Sequence, residues 1–95
     1  MIVVRIKVRL IGSGTPEDPY RVPLPTYTIV EIDYKRKIAV VEVPDELFEE
    51  VLPDGTRRRS RKAFAKNLAR MYLRWVLRNR NEIKKLKVID WGGVE

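Results

Sequence analysis

Residues 2–10, IVVRIKVRL, decide the fold class, because apolar and cationic side chains alternate along them from Val4 onward. Every even position is apolar, and the cations Arg5, Lys7 and Arg9 occupy odd positions. A two-residue period is typical of a β-strand with one buried face. We therefore predict that the chain begins with a strand whose even-numbered side chains enter the core.

A long loop and a β-hairpin are predicted next. Residues 12–27 contain two glycines and four prolines, which favour turns and extended backbone and therefore an ordered loop. Residues 27–34 and 37–43 are rich in β-branched and aromatic residues, and the polar break Lys35-Arg36 separates them. Two such runs across a short break predict an antiparallel pair of strands.

A short acidic helix is predicted after the hairpin. Pro44 followed by Asp45 and Glu46 favours a helix N-terminus. The N–H group that proline lacks would have no partner within the helix there, and acids complement the positive end of the helix dipole. We expect this helix to run to about Leu52. The sequence Pro-Asp-Gly at residues 53–55 then predicts a turn.

A long amphipathic helix is predicted from about Arg57 or Ser60 onward, where the apolar period changes to 3.6 residues. The apolar side of this helix comprises Phe64, Leu68, Met71, Tyr72, Trp75 and Val76. The opposite side carries what we name the cationic row: Lys62, Lys66, Arg70, Arg74 and Arg78. Asn79 and Glu82 fall on the apolar side, so the helix is expected to end or bend near residues 79–81. Residues 87–91 predict a short final strand.

These elements predict one domain over residues 1–95, of the α+β class. Its parts are a β-rich region with the short acidic helix (1–55), a basic helical segment (56–87) and a short terminal strand and tail (88–95). The expected order of elements is β-β-β-α-α-β. A small, mostly antiparallel sheet with the long helix packed across one face would bury both apolar surfaces together.

The net charge of +7 is distributed unevenly along the chain. Residues 1–55 carry a net charge of −3, residues 56–87 carry +12 and residues 88–95 carry −2. Glutamine is absent and Arg, Lys, Glu, Val and Ile are abundant, which is typical of hyperthermophile proteins. Because a small core alone gives limited stability at high temperature, we expect ion pairs, tight loops or oligomerisation to add to it. Such a composition explains mixed charges, but not thirteen cations beside one anion in residues 56–87.

Several classes of function are excluded by composition. The chain contains no cysteine and no histidine, so it has no disulfide, thiolate zinc site, thiol nucleophile or imidazole base. We therefore predict a non-enzymatic protein with no cofactor and no metal site. The apolar runs are too short for a membrane helix, and charges interrupt the first residues where a secretory signal would be apolar. A cytoplasmic location is expected.

The basic segment predicts nucleic-acid binding, to RNA or DNA, through contacts with backbone phosphates. Guanidinium groups bind phosphate through fixed pairs of donors, and cations spaced along a surface can follow a phosphate backbone. Cations four residues apart also repel one another in a helix, a cost that a polyanion would remove. The candidate contacts are the cationic row together with Arg57, Arg58, Arg59 and Arg61. No signature of sequence-specific recognition accompanies them.

Other interpretations of the same segment remain open. The cations could form an ordinary solvated helix face, paired in part with acids of residues 45–54, or meet an acidic protein or an anionic membrane surface. Leu73 and Leu77 fall within the cationic side, so a self-associating structural protein without a nucleic-acid role is the alternative function. Trp91, beside two glycines, would stack on a base, cap the core or fill a contact between copies.

Two weaker motifs favour structural roles. Glu31 and Asp33 share one face of a strand, a spacing that suits acid–base or metal chemistry. If the first strand lies beside the second, however, they face its cations as cross-strand ion pairs. The loop starting at Gly12-Ser13-Gly14 resembles a phosphate loop only in its glycines, and acids follow it, which favours a tight turn.

Overall fold

The alternating stretch forms strand β1 (Val3–Arg9) in the computed structural model, which describes residues 2–95. Ile6 and Val8 are fully buried and Val4 is 6% exposed, so the predicted inward face is confirmed for these positions. Ile2 differs: it precedes the strand and its side chain is 74% exposed.

The predicted hairpin is present as β2 (Ile29–Asp33) and β3 (Ile38–Pro44). The final strand, β6 (Val88–Asp90), is also present, and the four strands form an antiparallel sheet of order β2-β3-β1-β6. The expectation that Glu31 and Asp33 pair with the cations of β1 is wrong, because β3 lies between β1 and β2. Arg5 instead donates from Nε to Glu42 of β3, at 2.8 Å.

The predicted short acidic helix is also wrong. Residues Asp45–Phe48 form a single 3-10 turn, and the chain then continues as strand β4 (Glu49–Val51). β4 pairs antiparallel with β5 (Arg57–Arg59) around the predicted turn at residues 53–55. The physical reason is tertiary: the carbonyls of Leu47 and Glu49 accept hydrogen bonds from the Asn67 side chain, and that of Phe48 accepts from the Ser60 N–H, so they are not available to a continuing helix.

One long helix is not observed. The basic segment instead forms α1 (Ala63–Met71), α2 (Leu73–Arg78) and α3 (Arg80–Ile83). The backbone leaves the helical region at Tyr72 (φ −118°, ψ 43°) and at Asn79 (φ −123°, ψ 33°). At Asn79 the side-chain amide donates to the Trp75 carbonyl at 2.7 Å, a local bond of the kind that competes with helix geometry. The predicted bend at residues 79–81 is therefore confirmed, whereas the break at Tyr72 was not expected.

The core lies between the inner face of the sheet and α1. Phe48 stacks on Phe64 of α1, with ring centroids 5.3 Å apart, and both are almost completely buried. Asn67, also on α1, donates from Nδ2 to the backbone carbonyls of Leu47 and Glu49 at 3.1 and 2.9 Å. These contacts fasten α1 to the 3-10 turn and to β4, and so orient the cations that α1 carries.

The proline-rich segment forms an ordered loop, and backbone hydrogen bonds to Asp18 close its first turn. Ser13 and Gly14 donate their backbone N–H groups to the carbonyl of Asp18, at 3.1 and 3.0 Å. The tight-turn interpretation is thus confirmed, since these donors already have a partner within the loop. A β-bridge between Ile11 and Arg21 closes the loop against the end of β1.

The molecule is elongated, with principal dimensions of 51 × 26 × 20 Å and a radius of gyration of 14.0 Å. A compact domain of this length would have a radius of gyration near 12 Å. In the part of the chain that the structure describes, residues 2–95, none of the helices has the length and apolar character needed to cross a bilayer.

Candidate functional site

Three of the nine candidate cations lie on β5 rather than on a helix. Arg57 and Arg58 pair with Glu49 and Glu50 of β4 at 2.6 and 2.7 Å. Arg59 pairs with Asp45 at 2.9 Å. All three arginine side chains remain more than half exposed, with relative exposures of 70, 55 and 52%. Exposed pairs of this kind are screened by water and salt and contribute little, so an incoming phosphate can compete for these guanidinium groups.

The electrostatic effect of this hairpin is visible at Glu50. Arg58 donates a hydrogen bond to the carboxylate, which lowers the pKa of Glu50 below its usual value. The positive charge of Lys62 lowers the pKa further, although Lys62 makes no ion pair with it. The acids of β4 therefore offset part of the positive potential at the start of α1.

Arg61 and Trp91 form a unit at the edge of the core. The Arg61 Nε donates to the Val94 carbonyl at 2.6 Å, and the guanidinium lies 5.7 Å from the centre of the Trp91 ring. Trp91 is half-buried and meets Phe48 and Phe64 edge-to-face at 6.1 and 5.5 Å. Of the three roles considered for Trp91, this packing favours capping of the core.

The cationic row is exposed at all five positions but is divided between elements. Lys62 precedes α1, Lys66 and Arg70 lie on α1, and Arg74 and Arg78 lie on α2. Lys62, Lys66 and Arg70 border a depression of about 270 Å³ together with Glu49 and Glu50 of β4. Because the helix breaks at Tyr72, the row does not continue along one straight axis as the sequence predicted.

The basic segment has far more cations than its surroundings neutralise. The segment has thirteen basic side chains, and within residues 2–95 three of them, all on β5, form ion pairs. The other ten have no acidic partner within 4.0 Å in this part of the chain. The segment's single acid, Glu82, is itself engaged by Arg21 from the proline-rich loop. All five members of the cationic row are among these ten unpaired cations.

The contact between Arg21 and Glu82 was missed from the sequence. Arg21 donates from Nε and Nη2 to the two carboxylate oxygens of Glu82, at 2.8 and 3.0 Å, and from Nη1 to Asp18 at 2.8 Å. The hydrogen bond from Arg21 lowers the pKa of Glu82. The partners are 61 residues apart, so no local pattern could indicate this link between α3 and the loop.

Exposed apolar side chains accompany the cations at the end of α1 and on α2. Met71, Leu73 and Leu77 are 42, 55 and 50% exposed, and no residue of α2 or α3 is buried. Tyr72, predicted to belong to the core, lies at its margin against Tyr27, with ring centroids 5.7 Å apart. Burial raises the pKa of Tyr72 above its usual value. The surface around the break between α1 and α2 is thus apolar as well as cationic.

Glu31 and Asp33 border a depression on the outer face of the sheet together with Lys7, which lies two strands away on β1. Asp33 accepts a hydrogen bond from the Arg36 backbone N–H at 3.0 Å and lies 3.8 Å from the Arg36 guanidinium. Across the described residues, 2–95, no three side chains of the types His, Cys, Asp and Glu come together as a metal site would require. This carboxylate pair therefore has cationic neighbours and no third ligand.

Comparisons with family models, with curated proteins and with solved structures gave no significant match to this chain. Its function is therefore argued from the geometry and charge of its own surface.

Proposed function

We propose that the protein is a non-enzymatic, cytoplasmic nucleic-acid-binding module whose cationic row contacts the phosphate backbone of RNA or DNA. One observation carries the proposal: ten cations of the basic segment have no acidic partner within residues 2–95. A polyanion would neutralise them and would relieve the repulsion between cations one helical turn apart.

The cationic row is split at the break between α1 and α2, which supports binding to the phosphate backbone without strong sequence preference. Helix α1, which carries Lys66 and Arg70, packs on the core, whereas Arg74 and Arg78 follow a break in the helix. Cations on separate elements can contact phosphates at several points along a backbone. Contacts of this type position a protein on nucleic acid but do not discriminate among bases.

Binding is expected to weaken steeply as salt rises. If the five cations of the row each neutralise one phosphate, log K should fall with log salt with a slope of about −3.5 for single strands and about −4.5 for duplexes. Affinity for a mixed-sequence oligonucleotide should then fall by about two to three orders of magnitude when salt rises fourfold. Fluorescence anisotropy at several salt concentrations measures the slope. A slope near zero, or no binding at low salt, would refute the proposal.

Self-association is a second candidate function, and the exposure of Met71, Leu73 and Leu77 favours it. Burial of these side chains against a second copy would stabilise α2, whose six residues are too few for a helix to be stable alone in water. Sedimentation at several protein concentrations should then reveal a dimer that persists in high salt. In that case Leu73→Ser with Leu77→Ser should yield monomers, while Val51→Ser, at a position that is 63% exposed on β4, should not. A monomer at every concentration would exclude this candidate.

A further inference from the structure

An apolar groove separates α1 from α2, α3 and β6. Its volume is about 440 Å³, within the range of sites that hold small organic ligands. Most of its lining is aliphatic and includes Ala65, Leu68, Ala69, Val76, Ile83 and Leu86. The groove remains open on the α1 side because alanines occupy positions 65 and 69, where larger apolar side chains would fill it.

The charged side chains that line this groove are both cations. They are Arg61 and Lys84, and no carboxylate of the described residues shares the lining with them. Arg61 is held in place by the Val94 carbonyl and by the Trp91 ring, and its terminal nitrogens have no further hydrogen bond within residues 2–95. A guanidinium fixed in this way is well placed to bind a carboxylate.

We propose that the groove binds a medium-chain alkyl carboxylate, with the chain on the aliphatic lining and the carboxylate at Arg61 and Lys84. The aliphatic lining would bind the alkyl chain of the ligand, since burial of methylene groups is the main source of affinity in such sites. The two cations account for the anionic end. A second copy of the protein fits less well, because it would bring its own basic segment toward Arg61 and Lys84.

Calorimetric titration with hexanoate, octanoate and decanoate, each below its micelle concentration, tests the proposal. Affinity should rise about fourfold with each added methylene group. Decanol, which has the same chain without the charge, should bind at least about fivefold more weakly than decanoate. Equal affinities for decanoate and decanol would show that Arg61 and Lys84 do not recognise an anion, and would overturn the proposal.

Matched variants locate the binding site. Ala69→Leu fills the groove and should weaken decanoate binding at least about tenfold, and Ala65→Leu should act in the same way; both are compatible with a helix. Lys84→Ala should weaken binding about fivefold. Lys85→Ala removes the same charge from the next residue, which does not line the groove, and should change affinity less than about twofold.

Two further results would overturn the assignment. Undiminished decanoate binding by the two leucine variants, with unchanged urea unfolding, would place the ligand elsewhere. A dimer in sedimentation that decanoate dissociates and that Ala69→Leu abolishes would show that the groove is an interface between copies.

Discussion

Replacement of Arg70, Arg74 and Arg78 by alanine should lower affinity for nucleic acid about a hundredfold at about 0.1 M salt. Each lost phosphate contact forgoes the release of about one counterion, so the salt slope should become shallower by about two to three. The loss should be similar for all sequences, because phosphate contacts carry no base information. Anisotropy titrations with two unrelated oligonucleotides measure both quantities.

The triple variant should remain folded. Alanine has the highest helix propensity, and the exchange removes like charges four residues apart on α1 and α2. The matched control is Lys7→Ala with Arg9→Ala and Lys35→Ala, which removes three cations that are exposed and unpaired in the structure of residues 2–95.

Lys7 and Arg9 lie on the outer face of the sheet, away from the helices. The control should therefore keep its affinity within about threefold, because distant exposed charges are screened by salt. Equal losses in the two triple variants would mean that net charge, rather than the cationic row, drives binding. An unchanged affinity in the first variant would remove these three arginines from the interface.

Phe48→Ala should cost about 4 kcal/mol of the free energy of unfolding, because it removes a fully buried aromatic ring and leaves a cavity. The ring stacks on Phe64 and meets the edge of Trp91, so both neighbours lose packing. For a domain of this size the melting temperature should fall by about 15–30 °C. Urea and thermal unfolding followed by circular dichroism measure the change.

Tyr34→Ala is the matched control for aromatic truncation. Its ring is 59% exposed, and its loss should cost less than about 1 kcal/mol. Phe48→Leu keeps most of the apolar volume and should fall between the two variants. A cost below about 1 kcal/mol for Phe48→Ala would show that the contact between α1 and the 3-10 turn does not hold the domain together.

Local sequence patterns were sufficient to predict β1, the hairpin of β2 and β3, and β6. In each case the signal lies within the element itself: alternation in β1, and runs of β-branched residues between polar breaks in the others. The candidate cations were also identifiable from sequence, since the presence of thirteen basic residues and one acid in residues 56–87 is a property of composition. The groove beside Trp91 gave no such signal, because residues from several elements line it.

The chain itself determined which residues are apolar, which are cationic, and where strands would form by simple alternation. Only the tertiary structure decided that Arg57–Arg59 form a strand, that the helix breaks at Tyr72, and that β3 lies beside β1. The reason is that a period depends on neighbours a few residues away. The partner of a strand, and the carboxylate that faces a guanidinium, depend instead on groups that folding brings together from distant parts of the chain.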